Sequence, residues 1–226
     1  QELLDWLRTL PLALHEPGFL AVHACWHPYF IDLYFNQFDQ PLSDEFIRRA
    51  SQVPPNAALT EANALAHPEF WLIETLLKGL EAPLPRGAEF KDAGGTIRHH
   101  ARINWWNDLS RAPIEQCIRG TKSSFSSDQE FRFRSSIDPF LYIHDQLPST
   151  TIFVGHYWLS PSDLHAEAEA KSRLLSGTDS EISFPLNPQA NHIYCLDYSV
   201  AAQAGGHLVA YRLDKEVGVS VIRDVI

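Results

Sequence analysis

Two histidines sit where an imidazole could do chemistry. In Thr150–Trp158, TTIFVGHYW, a run of strand character ends on His156, with Gly155 before it and two aromatics after it. Gly155 has no Cβ, so the backbone can bend there and project the imidazole from the strand's end. Gly18–His27, GFLAVHACWH, repeats the layout: an apolar run through Val22, then His23, with Trp26 close behind. Two buried strands that each end in a histidine near a tryptophan suggest two imidazoles delivered to one place, and a metal centre is the chemistry such a pair suits. The competing reading, for either one alone, is a hydrogen-bonded rim histidine in a chain that has eleven.

The chain must be large enough to build the strands that would carry them. Its 226 residues suffice for one large domain or two small ones with a substantial core. With 45% hydrophobic and 20% charged residues, the composition is that of a soluble globular protein. No apolar run approaches the ~20 residues that span a bilayer, and no signal-peptide pattern opens the chain. A net charge of −10 argues against nucleic acid as a main partner, because counterion release needs clustered Lys and Arg. Cys25, Cys117 and Cys195 are widely spaced, with no disulfide framework and no CxxC zinc pattern, so a reducing, cytoplasmic setting is expected. The sequence begins at Gln1 and contains no methionine, which marks either a piece of a longer protein or modified methionines omitted from the sequence.

Apolar residues at helical spacing predict a helix over Glu2–Leu10, closed by Pro11. Phe19–Ala24 reads as a buried strand, and Pro28 opens a helix into Tyr29–Phe38. Ser43 caps a short helix to about Ala50, and Glu69–Leu80 is an amphipathic helix. Ala82–Gly87 reads as loop, Thr96–Trp106 as a long strand, and Gly120–Ser136 as a loop plus a short strand in which Arg132 and Arg134 alternate with Phe131 and Phe133. Leu159–Ser180 reads as polar with a short helix. Asn191–Val200 and Gly206–Asp214 are two strands joined at Gly205–Gly206, with Val217–Ile222 as an edge strand. This order of elements predicts an α+β or layered α/β/β/α domain over 1–226.

These segments resemble the C-terminal portion of a bacterial calcineurin-like metallophosphoesterase, in the Ser/Thr phosphatase and diadenosine-tetraphosphatase group. The resemblance is carried by DWLRTLP (Asp5–Pro11), VHACWHP (Val22–Pro28), ETLLKG (Glu74–Gly79) with Pro83–Pro85, RINWW (Arg102–Trp106), VGHYW (Val154–Trp158), and CLDYSV (Cys195–Val200) with GGHLVAYR (Gly205–Arg212). It implies a sandwich of sheets flanked by helices, with insertions at about 28–95 and 107–149 and a two-metal centre at the sheet ends. His23 and His156 would be metal ligands, and Arg102 would hold the substrate phosphate. The family's GDxHG, GDxxDRG and GNHE signatures do not occur. Their carboxylate and asparagine ligands and the proton-donating histidine therefore have no counterpart, the catalytic residues stay unassigned, and the fold is expected to be incomplete at its N-terminus.

Two divalent cations (Mn, Fe, Zn or Ni suit imidazole) would polarise a phosphoryl oxygen and activate water. Asp197 would orient one imidazole from behind, or else fix a strand-end turn; His27 would face the substrate, or else cap a helix beside Pro28. Lys78 reads as a solvated helix-end charge, and Trp105, Trp106 and Trp158 as core or rim packing. The expected partner is a small phosphorylated or nucleotide substrate, or a phosphoprotein, with no membrane. The alternative is a catalytically inactive phosphatase-like fragment or binding module that lacks most metal ligands. Self-association is expected if strand edges are left unpaired.

Overall fold

The computed structural model describes residues 2–38, 42–55, 58–91, 95–119, 125–159, 181–184, 192–199, 207–211 and 219–222, with only the backbone described for 181–184, 207–211 and 219–222. It is a mixed α and β structure. In chain order, α1 (Glu2–Thr9) leads to β1 (Ala13–Glu16) and β2 (Phe19–Val22), then to α2 (Pro28–Gln37), α3 (Asp44–Ala50), α4 (Glu61–Ala66) and α5 (Pro68–Lys78). Short strands β3 (Glu81–Pro83), β4 (Phe90–Lys91), β5 (Ile97–Arg98) and β6 (His100–Ile103) follow, then α6 (Ile114–Cys117), β7 (Ile118–Arg119) and α7 (Ser127–Ser136). The last part holds β8 (Thr151–Val154), β9 (Glu181–Phe184), β10 (Ile193–Cys195), β11 (Asp197–Tyr198), β12 (His207–Tyr211) and β13 (Val219–Ile222). Among the described residues no helix is long and apolar enough to cross a membrane, and Cys25, Cys117 and Cys195 are buried and form no disulfide.

Contacts divide the chain into two compact units. The first comprises Gln1–Leu14 with Val22–Ser149, and the second His15–Ala21 with Thr150–Ile226. The first unit is mainly helical. Proline at the first position of α2 and of α5 supplies the helical φ and forfeits only a donor that would be unpaired anyway. Gly79 ends α5 at φ 85, a backbone that side chains other than glycine resist. α2 buries Phe30, Ile31, Leu33 and Tyr34; α5 buries Trp71, Leu72, Thr75 and Leu76. A three-stranded antiparallel sheet, β3-β6-β7, follows α5. Pro83 is tolerated in β3 because that strand is at the edge of this sheet.

The alternating Phe and Arg of 131–134 form a helix, not the predicted strand. Ser126 accepts from Gln129 N at 3.2 Å while the Gln129 side chain accepts from Ser126 N at 3.0 Å, closing a capping box at the start of α7. Phe133 turns into the core, Phe131 outward, and Arg134 donates to the carbonyls of Leu109 and Ala112. Local capping and this anchor outweigh the period-two pattern. Ser126→Ala is expected to lower unfolding free energy by about 1 kcal/mol, read from a urea titration; no change would show the box to be idle.

In the second unit, β8 is the centre of a four-stranded sheet ordered β1-β2-β8-β10. It pairs in parallel with β2, Leu20 beside Ile152, and with β10, Ile193 beside Ile152. These three residues form one row across the sheet and are at most 2% exposed. A second sheet is antiparallel in the order β11-β12-β13-β9. β13 therefore lies between two strands, not at an edge as its position late in the chain suggested. The predicted strand Thr96–Trp106 is broken into β5 and β6, and its tryptophans lie in the turn beyond. The predicted helix within Leu159–Ser180 and the Gly205–Gly206 turn fall outside the described residues.

Candidate functional site

His23 is the first residue after β2 and its side chain is exposed. The backbone beside it is clamped. Ala24 N donates to Leu76 O at the end of α5 (2.8 Å), and Ala24 O accepts from Trp105 Nε1 at 3.1 Å. Trp105 is 1% exposed and meets Trp106 edge to face at 5.5 Å, so both are core residues of the first unit. The VHACW segment thus owes its path to a helix end and an indole donor, while the His23 residue itself is exposed.

His27 is different. It is 2% exposed, packs on Phe30 at 5.0 Å and Phe140 at 4.6 Å, and its Nε2–H donates to Phe140 O at 3.1 Å. It stands before α2 without making a side-chain cap. Burial depresses its pKa to about 4, the carbonyl bond opposing this only in part. This is a neutral core histidine.

Arg102, on β6, lies 3.8 Å through Nη2 from Glu81 Oε1, its register partner on β3. Its Nε is buried without a hydrogen-bond partner among the described residues. Lys78 pairs with Glu74 at 2.5 Å, one turn back on α5. Both these residues, with Trp71, Glu81, His100 and Asp138, line a cavity of about 320 Å³ in the first unit, an apolar floor rimmed by both signs of charge. Nothing in the spacing of those residues signals it, because its walls come from four separate segments.

His156, in the second unit, lies two residues past β8 in a left-handed backbone conformation, φ 64. Tyr157 N donates to Gly155 O at 2.8 Å, a turn too tight for ordinary extended chain. Among the described residues the non-glycine positive-φ positions are His156, Trp158 and Ser199. All belong to two loops tied to each other: Leu159 N donates to Asp197 O (2.8 Å) and Ser199 Oγ to Leu159 O (3.1 Å). Bulky residues hold such backbone at a cost of order 1 kcal/mol each, and such positions concentrate at functional sites. His156 Nε2 is buried. Asp197 Oδ1 accepts from Ser199 N at 3.0 Å, the turn-fixing alternative of its two expected roles. Trp158, expected as packing, is 72% exposed.

A two-cation centre asks more of the chain than these residues give. Among the described residues no group of three or more His, Cys, Asp or Glu is placed to hold a metal ion. Two imidazoles without carboxylates bind a cation weakly, so the residues present do not by themselves fit the two-metal group. No family model, no curated protein and no solved structure matches the chain.

Proposed function

We propose that this chain is the histidine-bearing part of a metal-dependent phosphoesterase built on a layered α/β/β/α sandwich. His23 and His156 are its ligands to divalent cations, and Arg102 its contact to a substrate phosphate. The observation that carries the reading is the strained backbone of His156 at the carboxyl end of a parallel strand, the edge where open α/β sheets bind their ligands. The carboxylate ligands of such a centre are not among the groups that the described residues bring together. The substrate class is a small phosphate ester or dinucleoside polyphosphate, which suits an acidic chain better than the long phosphate backbone of a nucleic acid does.

A second reading, a phosphatase-like binding module without catalysis, is favoured by the absence of a three-ligand group among the described residues. Nickel titration and a manganese-supplemented assay on p-nitrophenyl phosphate separate the two. His23→Ala and His156→Ala are each expected to weaken nickel binding, since each removes an imidazole donor, and nickel binding that neither substitution changes would end the reading of these histidines as ligands. Turnover that vanishes in His156→Ala would rule out the non-catalytic module.

A further inference from the structure

Trp71 and Thr75 stand at i and i+4 on α5, so they share one face of that helix, about 5–6 Å apart at Cβ. Both line the first unit's cavity of about 320 Å³. Trp71 is 7% exposed and Thr75 1%. Yet Trp71 Nε1 and Thr75 Oγ1 are each buried without a hydrogen-bond partner among the described residues. Thr75 even forgoes the bond to the carbonyl one turn back that a helical threonine commonly makes. Native interiors almost always supply a partner to such groups, because leaving them unmade is costly. The open space beside these two residues is the cavity. Its volume is about ten times the ~30 Å³ share of one water, and it falls in the range of small-molecule sites.

We propose that this cavity binds a small, uncharged aromatic amide or lactam. The site is independent of the phosphoesterase reading, since His23, His156 and Arg102 do not line it. Three features choose the class. Phe70 and Trp71 both line the cavity and meet edge to face at 5.1 Å, an aromatic wall that suits a ring. The indole N–H only donates, whereas the Thr75 hydroxyl donates or accepts, so one complementary group is a carbonyl oxygen beside an N–H. An ammonium or amidinium has no lone pair to offer the indole and would leave it unpaired. Charge turns anions away: Glu74, Glu81 and Asp138 line the cavity with a single lysine, Lys78, whose Nζ is already paired with Glu74 at 2.5 Å. A carboxylate or phosphate entering there would shed its hydration without gaining a free cation.

Titration of the 226-residue chain with benzamide, followed in proton–nitrogen NMR spectra of its six indole N–H groups, tests this. The Trp71 signal is assigned by its loss in Trp71→Phe. It should move downfield and saturate with a dissociation constant on the order of 1 mM, as befits so small a ligand. Benzoate, the same shape with a negative charge, should bind at least tenfold more weakly. Thr75→Val keeps the shape and removes the hydroxyl, so it should weaken benzamide binding about tenfold. The same substitution should leave the Tm of the free protein unchanged or higher, because it deletes a buried group that has no partner there. The absence of a saturable Trp71 shift, benzoate bound as well as benzamide, or benzamide binding indifferent to Thr75→Val would each overturn the proposal. So would a lower Tm of free Thr75→Val, which would show that the hydroxyl is already satisfied within the chain.

Discussion

Trp105→Ala is expected to cost the protein about 4 kcal/mol of unfolding free energy, a large part of the roughly 5–15 kcal/mol that a domain has. Two losses add. The indole is 1% exposed, so its removal leaves a cavity between neighbours that cannot fully collapse. Its Nε1 also donates to Ala24 O at 3.1 Å in a buried environment, and that carbonyl would be left without its donor. Trp105→Phe narrows the question, because it keeps most of the apolar volume and removes the donor with only a small cavity; about 1–2 kcal/mol is expected from that variant. Urea denaturation of the three proteins reads both. Should Phe match the wild type, the hydrogen bond does not hold the VHACW segment. Should Phe be as damaging as Ala, the indole's shape matters and its bulk does not.

What the sequence made legible follows local chemistry. Ser43 marked the start of α3, and its hydroxyl does accept from Phe46 N at 3.1 Å. Pro28 and Pro68 sit at the first helical position of α2 and α5, though only the first was read that way. The strands of 19–22 and 151–154 were legible from short apolar runs rich in β-branched and aromatic residues and bounded by turn residues. The misreadings have one physical source, local patterns overruled by partners distant in sequence. Phe131 to Arg134 alternate like a strand, yet capping by Ser126 and the carbonyls of Leu109 and Ala112 claim them for a helix. Thr96–Trp106 looks like one strand, but Ile97 and Arg98 pair with Phe90–Lys91 while His100–Ile103 pair with Glu81–Pro83 and Ile118–Arg119, a change of partner that no window of sequence contains. The site was half legible. Gly155 before His156 signalled a bend, whereas the left-handed φ falls not on the glycine but on the histidine, a residue type found there more often than most. The fate of His27 was decided by Phe140, 113 residues away.

That burial makes His27 the group through which acid should act on the first unit. Its pKa of about 4 in the folded chain lies below the ordinary 6.5 of the unfolded one, because the phenyl rings of Phe30 and Phe140 replace the water that an imidazolium needs. The unfolded chain therefore takes up a proton between pH 6.5 and 4 while the folded chain does not. Stability is full above pH 6.5, falls as the medium is acidified through that window, and levels off below about pH 4, for a total loss of about 3 kcal/mol from this one group. His27→Gln keeps an amide donor for Phe140 O and has no proton to gain. At pH 7 the variant should be the less stable by about 1–2 kcal/mol, since glutamine fills the site poorly. At pH 4.5 the order should close or reverse, because only the wild type suffers the protonation of its unfolded state. Carboxylates titrate in the same range in both proteins, so the difference between the two urea curves isolates the imidazole. A difference that stays constant from pH 7 to 4.5 would mean that His27 gains its proton equally well folded and unfolded, and that water reaches it despite the aromatic rings around it.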